Sequence, residues 1–235
     1  EMTGDQGYGI RVSMYFPYDN DEMMGAGGHG DNDRRDIGRY NLTPGNAQLA
    51  NPFNQMYKGI ERANQCIKYI PQMDLYNNGT TSDKAELRRL YGEALTLRAQ
   101  YYFELVRNWG DVPAQWEPSA DQPDLFLAKT DRDSIYDHIL NDLRTAEDLV
   151  PWPSGLAALG DPKDERITKG AVKGLRARLA LFRGGYSLRR DNKMERGSNY
   201  LDYYKIADDE CLSIMQSGEY ALDPSYRDLW QNNLD

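Results

Sequence analysis

The sequence predicts an all-α fold carrying long irregular loops. From Asn51 onward, apolar residues recur at steps of three and four, the spacing that lines one face of a helix. Each periodic run is also bracketed by residues that start or stop helices, and no segment carries comparable support for a strand.

Residues 1–50 lack a sustained period and are rich in Gly, Asp, Asn and Tyr, with the extreme at Gly25 to Asp33, so they read as an irregular loop region with a short helix near Tyr8–Met14. Residues 51–235 read as the helical region. Asn51 caps the first helix and Pro52 suits its first turn. Phe53, Met56, Tyr57, Ile60, Ala63, Ile67 and Ile70 then keep the helical step until Pro71. Asp83, answered by Glu86, opens a long second helix. Leu87, Leu90, Tyr91, Ala94, Leu95, Tyr101, Tyr102, Leu105, Val106 and Trp109 form its buried stripe, with Arg98 filling the gap in it, and Gly110 and Pro113 end it. A third helix starts after Thr130, with Asp133 in its capping box, and carries Ile135, Ile139, Leu143 and Ala146 to Pro151. Thr168 opens a fourth with Val172, Leu175, Leu179 and Phe182 inward. Tyr204, Ala207, Cys211 and Ile214 define a fifth that closes at Gly218.

Small residues at Ala94, Ala99, Gly174 and Ala177 let helix axes approach closely, which predicts tetratricopeptide-like stacked helix pairs. Arrays of that kind present concave binding surfaces, so binding is favoured over catalysis.

The totals narrow the function further. A formal charge of −9 repels phosphate backbones and anionic lipid, so nucleic acid is not an expected partner. No apolar run is long enough to span a bilayer and no signal peptide opens the chain. Cys66 and Cys211 are too few for a disulfide framework and fall among apolar helical positions, where buried inert thiols are expected. The 17 Tyr, four Trp and five Phe are a generous supply of rings suited to sugar faces and wet interfaces.

Enzymatic motifs are missing. There is no G-x-S-x-G elbow, H-E-x-x-H helix or P-loop, and His29 and His138 lie far apart. His138 reads as a partly exposed structural residue. Asp31, Asp33 and Asp36 offer oxygens in a Gly-rich loop but lack the calcium-loop spacing, so no metal and no cofactor are expected.

The run Gly92 to Val106, E-A-x-x-x-R-A-x-Y-Y-F at its heart, followed by Gly110-Asp111-Val112-Pro113, resembles the hallmark of the SusD/RagB family. Tyr57 to Asn64 is similar to that family's Y-x-x-I-x-x-A-N helix. Ala171 to Leu181 resembles its small-residue helix, and Ser217 to Leu222 its S-G-x-Y-x-L exit. The resemblance covers roughly Asn51 to Trp230. It implies a non-catalytic glycan-binding protein, lipid-anchored on the outer face of the outer membrane of Bacteroidetes-type bacteria, that delivers oligosaccharide to a SusC-like TonB-dependent transporter. The lipidated cysteine and the rest of the fold lie outside this sequence, which reads as part of a longer single-domain protein.

In the family, part of the glycan site lies in the segment before the Y-x-x-I helix, here about residues 19–40. Asp21, His29, Asp31, Asn32, Arg34 and Tyr40 supply a ring and planar polar groups of the kind that grip paired hydroxyls. Met23-Met24-Gly25-Ala26 stands where some starch-binding members carry tryptophans, which turns the expectation toward another glycan or a peptide. The loop residues Trp116 and Trp152 are platforms or staples of their loops, and Trp116 is kept as a candidate ligand residue. Two other readings stay open: a helical scaffold that binds a protein, and an enzyme of carbohydrate metabolism that uses a carboxylate pair.

Overall fold

In a computed structural model that describes residues 22, 35–160 and 166–232, the fold is all-α. The helices are α1 (Arg35–Gly38), α2 (Ala47–Tyr69), α3 (Asp74–Asn78), α4 (Thr81–Trp109), α5 (Arg132–Glu147), α6 (Pro153–Ala158), α7 (Lys169–Gly184), α8 (Tyr200–Gln216) and α9 (Tyr226–Asn232). Two short antiparallel ladders join them. In the first, β1 (Val112–Pro113) pairs with β2 (Lys129–Thr130), and in the second, β3 (Ser187–Leu188) pairs with β4 (Met194–Glu195). The short helix expected near Tyr8–Met14 lies outside the described residues.

Helix starts show where local chemistry overrides periodicity. The second helix begins at Thr81 rather than Asp83, because Thr80 and Asp83 form a reciprocal box. The Thr80 amide and hydroxyl donate to the Asp83 carboxylate at 2.9 and 2.6 Å, and the Asp83 amide donates to Thr80 Oγ1 at 3.2 Å. Those bonds hold the Asp83 carboxyl below its ordinary range. Helix α2 begins four residues before Asn51, capped by Asn46, whose side chain accepts from the Gln48 amide at 2.9 Å. Thr168 caps α7 as the sequence predicts, accepting from the Ala171 amide at 3.2 Å.

The chain divides into two compact units. Of the described residues, one holds 22, 35–73 and 97–135 and the other 74–96, 136–160 and 166–232, so α4 contributes to each. In the first unit Met56, Ile60 and Ala63 of α2, with Tyr101, Tyr102, Phe103, Leu105 and Val106 of α4, are buried together with Ile37 and Val112. In the second, Tyr136, Ile139, Leu140 and Leu143 of α5 and Val172, Leu179 and Ala180 of α7 are buried, and α7 packs on α8.

Each residue of the Gly110-Asp111-Val112-Pro113 exit has an assignable task. Gly110 takes φ +71°, the left-handed conformation that ends α4. Asp111 accepts from the Arg132 amide at 2.9 Å, which fixes the start of α5, and Val112 is buried while pairing with Thr130. The Pro113 carbonyl accepts from the Tyr57 hydroxyl at 2.6 Å. The other motifs are structural in the same way. A side chain on Gly170 would overlap the Tyr220 ring, and the Tyr220 hydroxyl shares a 2.9 Å hydrogen bond with Thr168 Oγ1.

Four expectations about burial are overturned, one of them for Phe182, which is 41% exposed in the last turn of α7, where Arg183 and Gly184 are buried beside it. Cys66 and Cys211 are exposed thiols. Cys66 follows the buried Asn64 by two residues, about 200° around α2 from it. On α8 the fully buried stripe comprises Ala207 and Glu210, too narrow to take in Cys211. Leu90 is also exposed, and the neighbouring Arg89 is buried in its stead, bonded to Glu93 at 2.8 Å.

Candidate functional site

Of the ligand residues expected from sequence, Asp21, His29, Asp31, Asn32 and Arg34 lie outside the described residues, while Tyr40 and Trp116 lie within them, both in the first unit. Tyr40 is 94% exposed and has φ +58°, a left-handed conformation that costs about 1 kcal/mol or more in a non-glycine residue. Its geometry follows from α1, where Ile37 is buried and its carbonyl accepts from the Tyr40 amide at 3.3 Å. The chain therefore turns sharply outward and delivers the ring to solvent. Among the described residues the Tyr40 ring touches no other ring.

Trp116 is half-buried on the loop that follows β1. Its ring centroid lies 4.6 Å from that of Tyr102, and the Arg98 guanidinium sits 5.5 Å from its ring. Arg98 also donates to the Trp116 carbonyl at 3.1 Å and to Asn64 Oδ1 at 2.9 Å. Asn64 in turn donates to the carbonyls of Gln115 and Glu117, and Tyr102 makes a two-way bond with the Gln115 backbone at 2.7 and 2.8 Å. The Trp116 loop is thus clamped from below by α2 and α4. These bonds give Arg98, which fills the gap in the apolar stripe of α4, a structural role.

A groove of about 640 Å³ runs beside the clamp, lined by Tyr57, Lys58, Glu61, Arg62, Gln65 and Gln115 among others. Glu61 accepts from the Ser119 amide and hydroxyl at 3.0 and 2.8 Å, from Gln115 Nε2 at 2.8 Å and from Gln65 Nε2 at 3.1 Å. Burial, with the neighbouring Tyr102 adding to it, pushes the Tyr57 phenol far above its ordinary range and keeps it a donor. Sequence reading missed this groove because its wall is the polar face of α2. The signal was present as Glu61 and Gln65 following Tyr57 at helical spacing, two polar positions that periodicity assigns to solvent.

Of the two histidines, only His138 falls among the described residues. His138 is partly exposed and lies 3.7 Å from Asp142, and His29 is outside the described residues. Among the described residues no three His, Cys, Asp or Glu side chains are placed to hold a metal, and no helix is long and apolar enough to cross a membrane.

Comparison with known proteins gives this geometry its context. Residues 22–181 match the SusD-like family model described as starch-binding and associating with the outer membrane. The chain belongs to the SusD-like family. A SusD-like protein of Formosa agariphila, P38, is 24% identical over 205 residues, a match covering 86% of this chain and 34% of that protein. The chain spans about a third of the length of the curated relatives it matches over most of its own. A SusD homolog from Bacteroides thetaiotaomicron superposes with TM-score 0.75 at 24% identity, covering 97% of this chain and 40% of that one. A laminarin-binding SusD-like protein superposes with TM-score 0.61 at 22% identity, covering 85% of this chain and 38% of its own. At these identities the structural likeness establishes the SusD-like fold.

Proposed function

We propose that the protein captures an oligosaccharide at the outer membrane without cleaving it and delivers it to a SusC-like TonB-dependent transporter. The observation that carries this reading is the family match over residues 22–181, a family described as starch-binding and outer-membrane-associated. The laminarin-binding protein of the same fold supports it. The ligand surface is assigned to Asp21, His29, Asp31, Asn32, Arg34, Tyr40 and Trp116. Tyr40 offers an exposed ring for the C–H face of a sugar, and the Arg98 clamp holds Trp116 in one orientation, which lowers the entropic cost of binding.

The protein is lipid-anchored on the extracellular face, and the transporter is its membrane partner. Incubation with oligosaccharide from a panel that includes laminarin and soluble starch tests the reading. Retention in affinity gels with the saccharide recovered at its original length is the expected result. Shortened products would replace capture with hydrolysis. Co-purification with a large β-barrel, combined with no retention by any glycan, would replace it with a scaffold role.

A further inference from the structure

We propose that the pocket between Tyr186, Arg196 and Tyr200 is a second saccharide site that takes an acidic sugar unit, bearing either a uronate carboxylate or a sulfate ester. The inference rests on the reading that the protein binds glycans, and it concerns residues at the other end of the sequence from the surface proposed above.

The pocket is built by the connection between α7 and α8. The chain leaves α7, pairs β3 with β4 around a turn in which Asn192 takes φ +62°, and enters α8 at Tyr200. Gly184 brings the two ends together. A side chain there would lie 2.9 Å from the Tyr200 carbonyl oxygen and from the Tyr204 ring. Tyr186 and Tyr200, from opposite ends of the connection, consequently flank Arg196, whose guanidinium carbon is 4.8 Å from the first ring centroid and 3.5 Å from the second. The resulting open pocket has a volume of about 400 Å³, and Glu195 and Ser198 add their polar groups to its lining.

Three features point to an acidic sugar. The two rings lie against the guanidinium but take up none of its N–H groups in hydrogen bonds, and among the described residues Arg196 has neither an ion pair nor a hydrogen bond, so those donors remain for an oxyanion. The Tyr186 side of the pocket is open, the residue being 62% exposed, and offers ring surface to sugar C–H groups while Glu195 offers an acceptor for a hydroxyl. The local charge also departs from that of the chain. Residues 186–200 hold four basic side chains against two acidic ones, in a protein whose formal charge is −9.

The test is calorimetric titration of the protein with trigalacturonate, with its neutral methyl ester and with a sulfated galactan oligosaccharide. Trigalacturonate or the sulfated oligosaccharide binds at least about tenfold more tightly than the neutral ester, and whichever of the two binds identifies the acidic group. Arg196→Gln weakens that binding by about tenfold and Arg196→Lys by less, because lysine keeps the charge without the planar fork. Lys205→Gln, which removes a cation of α8 paired with Asp209 at 2.8 Å, leaves the binding unchanged and excludes a general charge effect. Equal binding of acidic and neutral ligands, or equal affinity in Arg196→Gln, overturns the proposal. Neutral glycans bound with no acidic one overturn it while leaving the proposed function standing, whereas the absence of any glycan binding removes both.

Discussion

The two compact units each hold cations for a different purpose. In the first, the buried Arg98 donates to the Asn64 amide oxygen and to the Trp116 carbonyl, groups that also shape a loop. In the second, Lys173 and Arg176 of α7 are held by two carboxylates, Glu147 of α5 and Glu210 of α8. Lys173 bonds both at 2.7 Å and Arg176 bonds both as well. Burial lowers the affinity of the Lys173 amine for its proton, but the bonds to Glu147 and Glu210 outweigh it and hold the ammonium above its ordinary range. Burial also pushes the Glu147 carboxyl up, against the pull of Lys173. The difference separates presentation from cohesion. The Arg98 clamp orients Trp116, and the ionic quartet ties three helices together.

The largest effect expected is in the quartet. Glu210→Ala leaves two cations to share Glu147 and destabilises the fold by about 3 kcal/mol in urea unfolding, with glycan retention intact at the lower denaturant concentrations. Arg98→Ala costs about 2 kcal/mol and, unlike the quartet variant, shifts Trp116 fluorescence to the red as the loop loosens. If Arg98→Ala moves stability and leaves the fluorescence alone, the clamp is cohesion too and the contrast collapses. Thr168→Ala, which removes the cap of α7 and the partner of Tyr220, costs about 1 kcal/mol and serves as a neutral reference within the second unit.

The smallest effect is in the pH profile. Burial, with the bond to Asp137 at 2.7 Å adding to it, pushes the Tyr203 phenol up from 10.0 to about 12. The folded state therefore holds this proton more tightly than the unfolded chain, and its contribution is full below pH 10 and lost as pH rises toward about 12. Tyr203→Phe flattens the alkaline fall in stability over that window, and an unchanged slope refutes the assignment.

Much of the fold was legible because helices advertise themselves. The stops at Gly110 and Gly218 and the cap at Thr168 are local chemistry, and each is found where the sequence put it. What escaped was tertiary. Neither cysteine reveals by spacing that it falls outside the buried stripe of its helix. Glu61 looks like a solvent-facing residue until the loop after β1 folds onto it. Arg196 shows no motif at all, since its meaning depends on two tyrosines 10 and four residues away closing around it. For the site, the sequence named Tyr40 as a ring in a loop, but its left-handed backbone and its exposure come from the burial of Ile37 beneath it.

The central claim is capture by an exposed surface on a helical frame. A glycan array probed with the wild-type protein and with Tyr40→Ala tests it most directly. Retention of at least one oligosaccharide class by the wild type, weakened about threefold or more by the substitution, is the predicted result. An array on which the wild type retains nothing, or on which Tyr40→Ala binds as well as the wild type, contradicts it.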